Sequence, residues 1–281
     1  MTIEEPDQVP SHVVSRREWN GWELREAGPD AARRSALLLP GVLCTAAFYG
    51  DLLTDPRLVE RGVGLVAATP PGFGGRPAPD DVSIEGFARL TGELAGNIGC
   101  DVVVGHSFFA NVAIEMAAAG LFSGPIVLLS PCFSREDEEK DFRQIDRISR
   151  VPGLGRLAWL LLPRMLNSSL RGRLPADRHA DLIAEMRATD MAVCRRMARL
   201  YFDYLDRHGS VVPRLRASGV DAWVVRGDRD EIGLSEEERR DLEASPNVTM
   251  VTVPDAAHFV MTDQPAPTAG LIIDVAARAG A

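Results

Sequence analysis

The chain has 281 residues, 46% of them hydrophobic and 25% charged, and a formal net charge of −9. Those are ordinary values for a globular protein with a sizeable core, one large domain or two small ones. The acidic balance offers polyanions no counterpart, so neither nucleic acid nor an anionic membrane is expected as a partner.

In chain order, residues 12–27 hold an Asn20-Gly21 pair between strand-like runs, a hairpin signal. Residues 35–39 (SALLL) read as a buried strand stopped by Pro40-Gly41, and residues 62–69 (GVGLVAAT) as another, followed by the turn-rich PPGFGGRPAP. Residues 84–94 have helical spacing, residues 101–104 (DVVV) form a short strand, and residues 111–119 are rich in helix formers. A further strand is expected at 126–129 (IVLL).

From about Cys132 to Pro213 no strand is expected, only helical segments punctuated by Pro152-Gly153, Pro163 and Pro175. Alternation resumes with a strand at 221–225, a helix at 236–243, a strand at 248–253 and a helix near 266–277. Continuous apolar strands alternating with helices predict an α/β fold with a mostly parallel sheet flanked by helices. The chain therefore divides into a core, residues 1–131 and 214–281, and a helical insertion, residues 132–213. That insertion reads as a lid over the C-terminal strand ends, where open α/β sheets bind ligands.

Cys44, Cys100, Cys132 and Cys194 are widely spaced and form no C-x-x-C pair, so neither a metal nor a disulfide framework is expected. The first residues show no secretory signal. The apolar run at 157–162 (LAWLLL) ends well short of the roughly 20 residues that span a bilayer, and a cytoplasmic location is the default expectation. Gly72-Phe73-Gly74-Gly75 lacks the spacing and Lys-Ser/Thr of a phosphate loop, and no cofactor is expected.

Residues 101–110 (DVVVGHSFFA) carry the chemistry: an apolar strand, Gly105-His106-Ser107, then a helix. In a G-x-S-x-G elbow a strained strand-to-helix turn holds the serine hydroxyl above the sheet, beside the free N–H groups of the following helix. On this element, the Pro40-Gly41 turn, the PGFG loop at 71–74, Gly227-Asp228-Arg229-Asp230 and Ala257-His258-Phe259, the chain resembles the α/β-hydrolase fold family, in its lid-bearing serine esterase-like branch. The resemblance runs from about Leu37 to the C-terminus and implies a Ser–acid–His triad and hydrolysis of carbonyl esters or their relatives. The chain departs from the family pattern at Phe109 for the second elbow glycine, Pro40 for the histidine of the oxyanion turn, and Ala257 for the glycine before the histidine.

A serine hydroxyl needs a base. Of the five histidines, His106 adjoins Ser107 but points elsewhere in an elbow and reads as lining; His12 precedes the sheet, and His179 and His208 lie in the insertion. The family order leaves His258. Asp228, Asp230 and Glu231 are the candidate acids, and the resemblance favours Asp230. Backbone N–H groups of Phe108 and of Val42, with Leu43 second, are expected to form the oxyanion hole. Leu43, His106, Trp159 and Phe259 are expected to touch substrate.

Ser107 excludes reactions that need a carboxylate nucleophile, such as epoxide or haloalkane hydrolysis. Ester, lactone, thioester and carbon–carbon bond hydrolysis and perhydrolysis share the remaining parts, and a non-hydrolytic binding or cyclising protein would tolerate the departures. An insertion rich in Leu and Met, with Trp159, Tyr201 and Tyr204, favours a small to medium, largely apolar small-molecule substrate. Residues 154–166 could serve a membrane-surface lipase, but a buried insertion helix is the favoured reading. The oligomeric state stays open.

Overall fold

The computed structural model describes residues 14–151 and 153–279; His12 and Pro152 lie outside the described residues. Eight strands form one sheet in the order β1-β2-β4-β3-β5-β6-β7-β8. The hairpin β1 (Ser15–Trp19) and β2 (Trp22–Ala27) turns at Asn20 and Gly21 and pairs antiparallel with β4 (Val63–Thr69). The other strands run parallel: β3 (Arg34–Leu39), β5 (Val102–His106), β6 (Ile126–Leu129), β7 (Ala222–Gly227) and β8 (Val248–Val253). Every residue of β4, β5 and β6 is buried, as strands covered on both faces must be.

The short helices α1 (Gly50–Leu53) and α2 (Arg57–Arg61) pack with the last helix, α12 (Pro265–Arg278), on one face. On the other lie α3 (Ile84–Ile98) and α4 (Phe108–Ala118). Sequence position β3 is followed by β4 on one side and β5 on the other, so the chain direction of winding reverses between β3 and β5. A crevice opens outside the carboxyl ends at such a switch point, and here it receives the Gly41 turn and Ser107.

Between β6 and β7 the chain is helical: α5 (Lys140–Ser149), α6 (Leu154–Ser169), α7 (His179–Arg187), α8 (Met191–His208) and α9 (Val212–Ser218). The first four pack on one another, whereas α9 packs on α4 beside the sheet and straddles the boundary expected at 213/214. α10 (Glu236–Glu243) and the single turn α11 (Val260–Asp263) flank β8. Pro163, expected to punctuate, sits inside α6. The same helix differs from the buried reading of residues 154–166. Trp159 and Leu166 are buried, while Leu157, Leu160, Leu161 and Met165 on the opposite side are exposed. An apolar run longer than one turn must point residues both ways at 3.6 residues per turn, and only one side meets the rest of the protein. Among the described residues no helix is long and apolar enough to cross a membrane.

Candidate active site

Ser107 follows β5 and caps α4 at φ 51° and ψ −116°, a strained conformation for a residue with a side chain. Its N–H donates to Leu129 O at 2.9 Å, extending the β5–β6 ladder, and its carbonyl accepts from Ala110 N at 2.9 Å, opening α4. The residue is thus pinned from both sides. A Cβ on Gly105 would stand 2.2 Å from Phe109 O, so the close approach of strand and helix rests on this glycine. That tolerates Phe109, whose ring is fully buried against Phe73 and Phe87.

His258 and Asp230 come from loops after β8 and β7. Asp228 N–H donates to Val253 O at 3.1 Å and Arg229 N–H to Ala256 O at 2.9 Å, which ties the two loops together. Ala257 N–H donates to Asp263 Oδ2 at 2.8 Å. Nδ1 of His258 stands 3.2 Å from Asp230 Oδ1, with 19% and 1% of the two side chains exposed. Ile232 N–H donates to the same oxygen at 3.1 Å. Burial alone would raise the Asp230 carboxyl, but the His258 hydrogen bond and charge override it and hold it down at about 2. Burial likewise depresses His258, and the Asp230 bond and charge more than reverse this, leaving its pKa above the ordinary 6.5. An ionised carboxylate can only accept, so Nδ1 carries the proton and Nε2 is left as the basic nitrogen.

Asp228 and Glu231, the rival acids, are exposed, and Glu231 pairs instead with Arg173. His106 is 1% exposed, and its Nε2–H donates to His258 O at 3.0 Å. Burial, with His258 alongside, pushes its pKa down to about 3, so the ring is neutral. His106 therefore secures the backbone of the histidine loop besides lining the cavity, a role its position beside Ser107 in sequence did not disclose. His179 bonds Asn167 and His208 packs on Tyr204, both away from the cavity.

At the end of β3 the turn 41–44 closes with Cys44 N–H donating to Gly41 O at 3.1 Å, and Leu43 takes φ 66°. A turn of this kind spends its last N–H on closure and leaves those of its two central residues, Val42 and Leu43, outside that bond. Gly41 admits no side chain: a Cβ would lie 2.7 Å from His106 Nδ1 and 3.2 Å from Ser107 Cβ. Pro40 simply ends the strand beside it.

A cavity of about 650 Å³ opens over these groups. Val42, Leu43, His106, Ser107, Phe108 and His258 line its floor. Phe259, packed on both imidazoles with centroids 5.4 and 5.5 Å away, lines it too, and Trp159 lines it from α6. Tyr201 also faces the cavity, whereas Tyr204 turns away and donates to Glu115 at 3.0 Å. Glu138 was missed by sequence reasoning. In the acidic run 136–139 (EDEE) nothing distinguishes the buried Asp137 and Glu138 from the exposed Glu136, yet Glu138 lines the cavity at 8% exposure.

No curated protein matches the sequence. Among solved structures, the esterase EaEST from Exiguobacterium antarcticum superposes with a TM-score of 0.71 at 14% identity, covering 90% of this chain and 94% of that one. The N-acyl homoserine lactonase AidH superposes with a TM-score of 0.71 at 17% identity, covering 96% and 98%. E-2-(acetamidomethylene)succinate hydrolase does so with 0.65 at 18%, covering 94% and 98%. At these identities the likeness carries the fold. A profile of the Alpha/beta hydrolase family matches residues 36–271, the stretch that holds the sheet, the insertion and all three groups of the Ser107 site, and the chain belongs to that family.

Proposed function

We propose that this chain is a serine hydrolase that cleaves a carboxylic ester, lactone or thioester of a small to medium, largely apolar substrate through an acyl-enzyme on Ser107. One observation carries the reading: a half-buried His258, bonded to the buried Asp230 carboxylate, borders the same cavity as a serine held in a strained elbow. In this mechanism His258 Nε2 takes the Ser107 proton as Oγ attacks the carbonyl carbon. The N–H groups of Phe108 and Val42 receive the oxyanion, and the leaving alcohol or thiol departs with the proton from His258. Water then repeats the sequence and frees the acid. Apolar walls contributed by α6 and α8 favour an apolar substrate, and the insertion serves as its lid. The similar structures named for an esterase and a lactonase agree with this chemistry.

The test is a series of p-nitrophenyl esters of graded chain length, with Ser107→Ala alongside. Loss of several orders of magnitude in turnover by a folded Ser107→Ala protein is expected. Retained hydrolysis in that variant would refute the mechanism.

A further inference from the structure

Buried carboxylates are costly without a partner. Among the described residues, Asp55, Glu115 and Asp146 each face an arginine and Asp230 faces His258. Asp137 and Glu238 bond backbone and serine groups away from the cavity. Glu138 differs from all of these, being 8% exposed, without an ion pair among the described residues, and on the cavity wall. The Tyr201 hydroxyl donates to its Oε2 at 2.8 Å and Glu139 N–H to its Oε1 at 2.9 Å. Each carboxylate oxygen has a second acceptor site, so both bonds leave acceptor capacity unspent. Glu139 and Arg173 also line the cavity but already pair with each other.

The loop that carries Glu138 is held from several sides. Asp137 Oδ2 accepts from Phe133 N at 3.3 Å and Ser134 N at 3.1 Å. Gly233 N–H, three residues beyond Asp230, donates to Asp137 O at 2.6 Å. Asn111 on α4 donates to Cys132 O at 3.0 Å, and Ser134 bridges to Ser210. The carboxylate is therefore preorganised on the same frame as the acid loop, the condition for a specific contact.

We propose that Glu138 is a substrate anchor: it selects esters or lactones that carry a neutral hydrogen-bond donor, a hydroxyl or amide N–H, apart from the scissile carbonyl. The proposal rests on the serine-hydrolase reading of the cavity. A donor arriving from the substrate completes the hydrogen bonding of a carboxylate that water reaches poorly. Burial raises the carboxyl above its ordinary value against the pull of Glu139 N–H, Tyr201, His258 and the Cys132 thiol, in keeping with a carboxylate that gains from a further donor.

The experiment uses full-length Ser107→Ala protein, so that binding is read without turnover. Two ester series are titrated, one with a hydroxyl stepped along the acyl chain and one along the alcohol, each against its methyl isostere. At least one hydroxyl ester should bind about ten- to hundredfold more tightly than its isostere, the range a hydrogen bond to a charged group supports. Adding Glu138→Met should bring that ratio to within about twofold of one. No preference at any position in the Ser107→Ala protein would overturn the proposal without any need for the second variant. So would a preference that survives Glu138→Met. Failure of wild-type protein to hydrolyse any ester, with the binding preference intact, would overturn the serine mechanism and leave the anchor standing.

Discussion

Gly41 lies in the turn after β3 and His106 ends β5, and the structure predicts that they are energetically coupled. Gly41→Ala would place Cβ 2.7 Å from His106 Nδ1 and 3.0 Å from Cε1, inside contact distance. The imidazole cannot easily retreat, because it is 1% exposed and Nε2 is bonded to His258 O at 3.0 Å. Overpacking a filled site costs about 1–3 kcal/mol. In a His106→Ala background the two nearest atoms are gone, and of the three nearest the Ser107 Cβ at 3.2 Å remains, which small shifts relieve. A double-mutant cycle should therefore show that Gly41→Ala is destabilising in wild type and nearly neutral beside His106→Ala, with a coupling of about 1–2 kcal/mol. Urea unfolding of the four proteins, with the slopes compared to confirm a common denatured state, measures this directly. Additivity within about 0.5 kcal/mol would refute the contact. Ester turnover should fall in Gly41→Ala as well, since the same methyl group presses on Ser107.

Asp230→Asn should lower ester turnover by on the order of 10⁴, the effect known for the corresponding change in a serine protease, because the amide can donate to Nδ1 and favour the wrong tautomer. Exposed Asp228→Asn should cost less than about tenfold, and the reverse ranking would reassign the acid. Turnover should rise with pH through the raised pKa of His258, as the imidazole must be neutral to accept the serine proton; a profile flat from pH 6 to 8 would contradict this. For stability the signs differ by residue. His258, raised, stabilises below its unfolded value and loses that contribution as pH climbs through its folded one; Asp230, depressed to about 2, stabilises above 3.8 and loses this as pH falls toward 2. His106, depressed to about 3, is protonated first in the unfolded chain, so it erodes stability as pH falls from 6.5 toward 3 by up to about 1.4 kcal/mol per pH unit. His106→Gln should accordingly flatten unfolding free energy against pH across pH 6 to 4, and an unchanged slope would show the ring to be accessible. Trp159→Ala should shift preference toward longer acyl chains, about tenfold for two further methylenes at about 0.8 kcal/mol each, and an unchanged preference would place Trp159 outside the substrate path.

Much of the fold was legible because its signals are local. The runs at 126–129 and 248–253 and the helix at 236–243 lie where expected, and in the structure Ser235 and Glu238 form a capping box at the start of that helix. Ser107 was legible for the same reason, since a strand, a glycine, a serine and a helix adjoin in sequence. The pairing of His258 with Asp230 drew on family order, and tertiary structure supplied the reason that Asp228 is not the partner: that side chain turns to solvent while Asp230 is buried under the imidazole. Burial of Glu138 within EDEE, the bond from His106 to the histidine loop and the need for glycine at 41 join segments far apart in the chain. Each depends on which surfaces the packed loops bring within a few ångströms, a quantity that neither local propensity nor periodicity encodes. The two-sided α6 is the same case: its run 157–162 (LAWLLL) is apolar in every direction, and only the packing of the insertion decides that Trp159 faces the cavity and Leu160 the solvent.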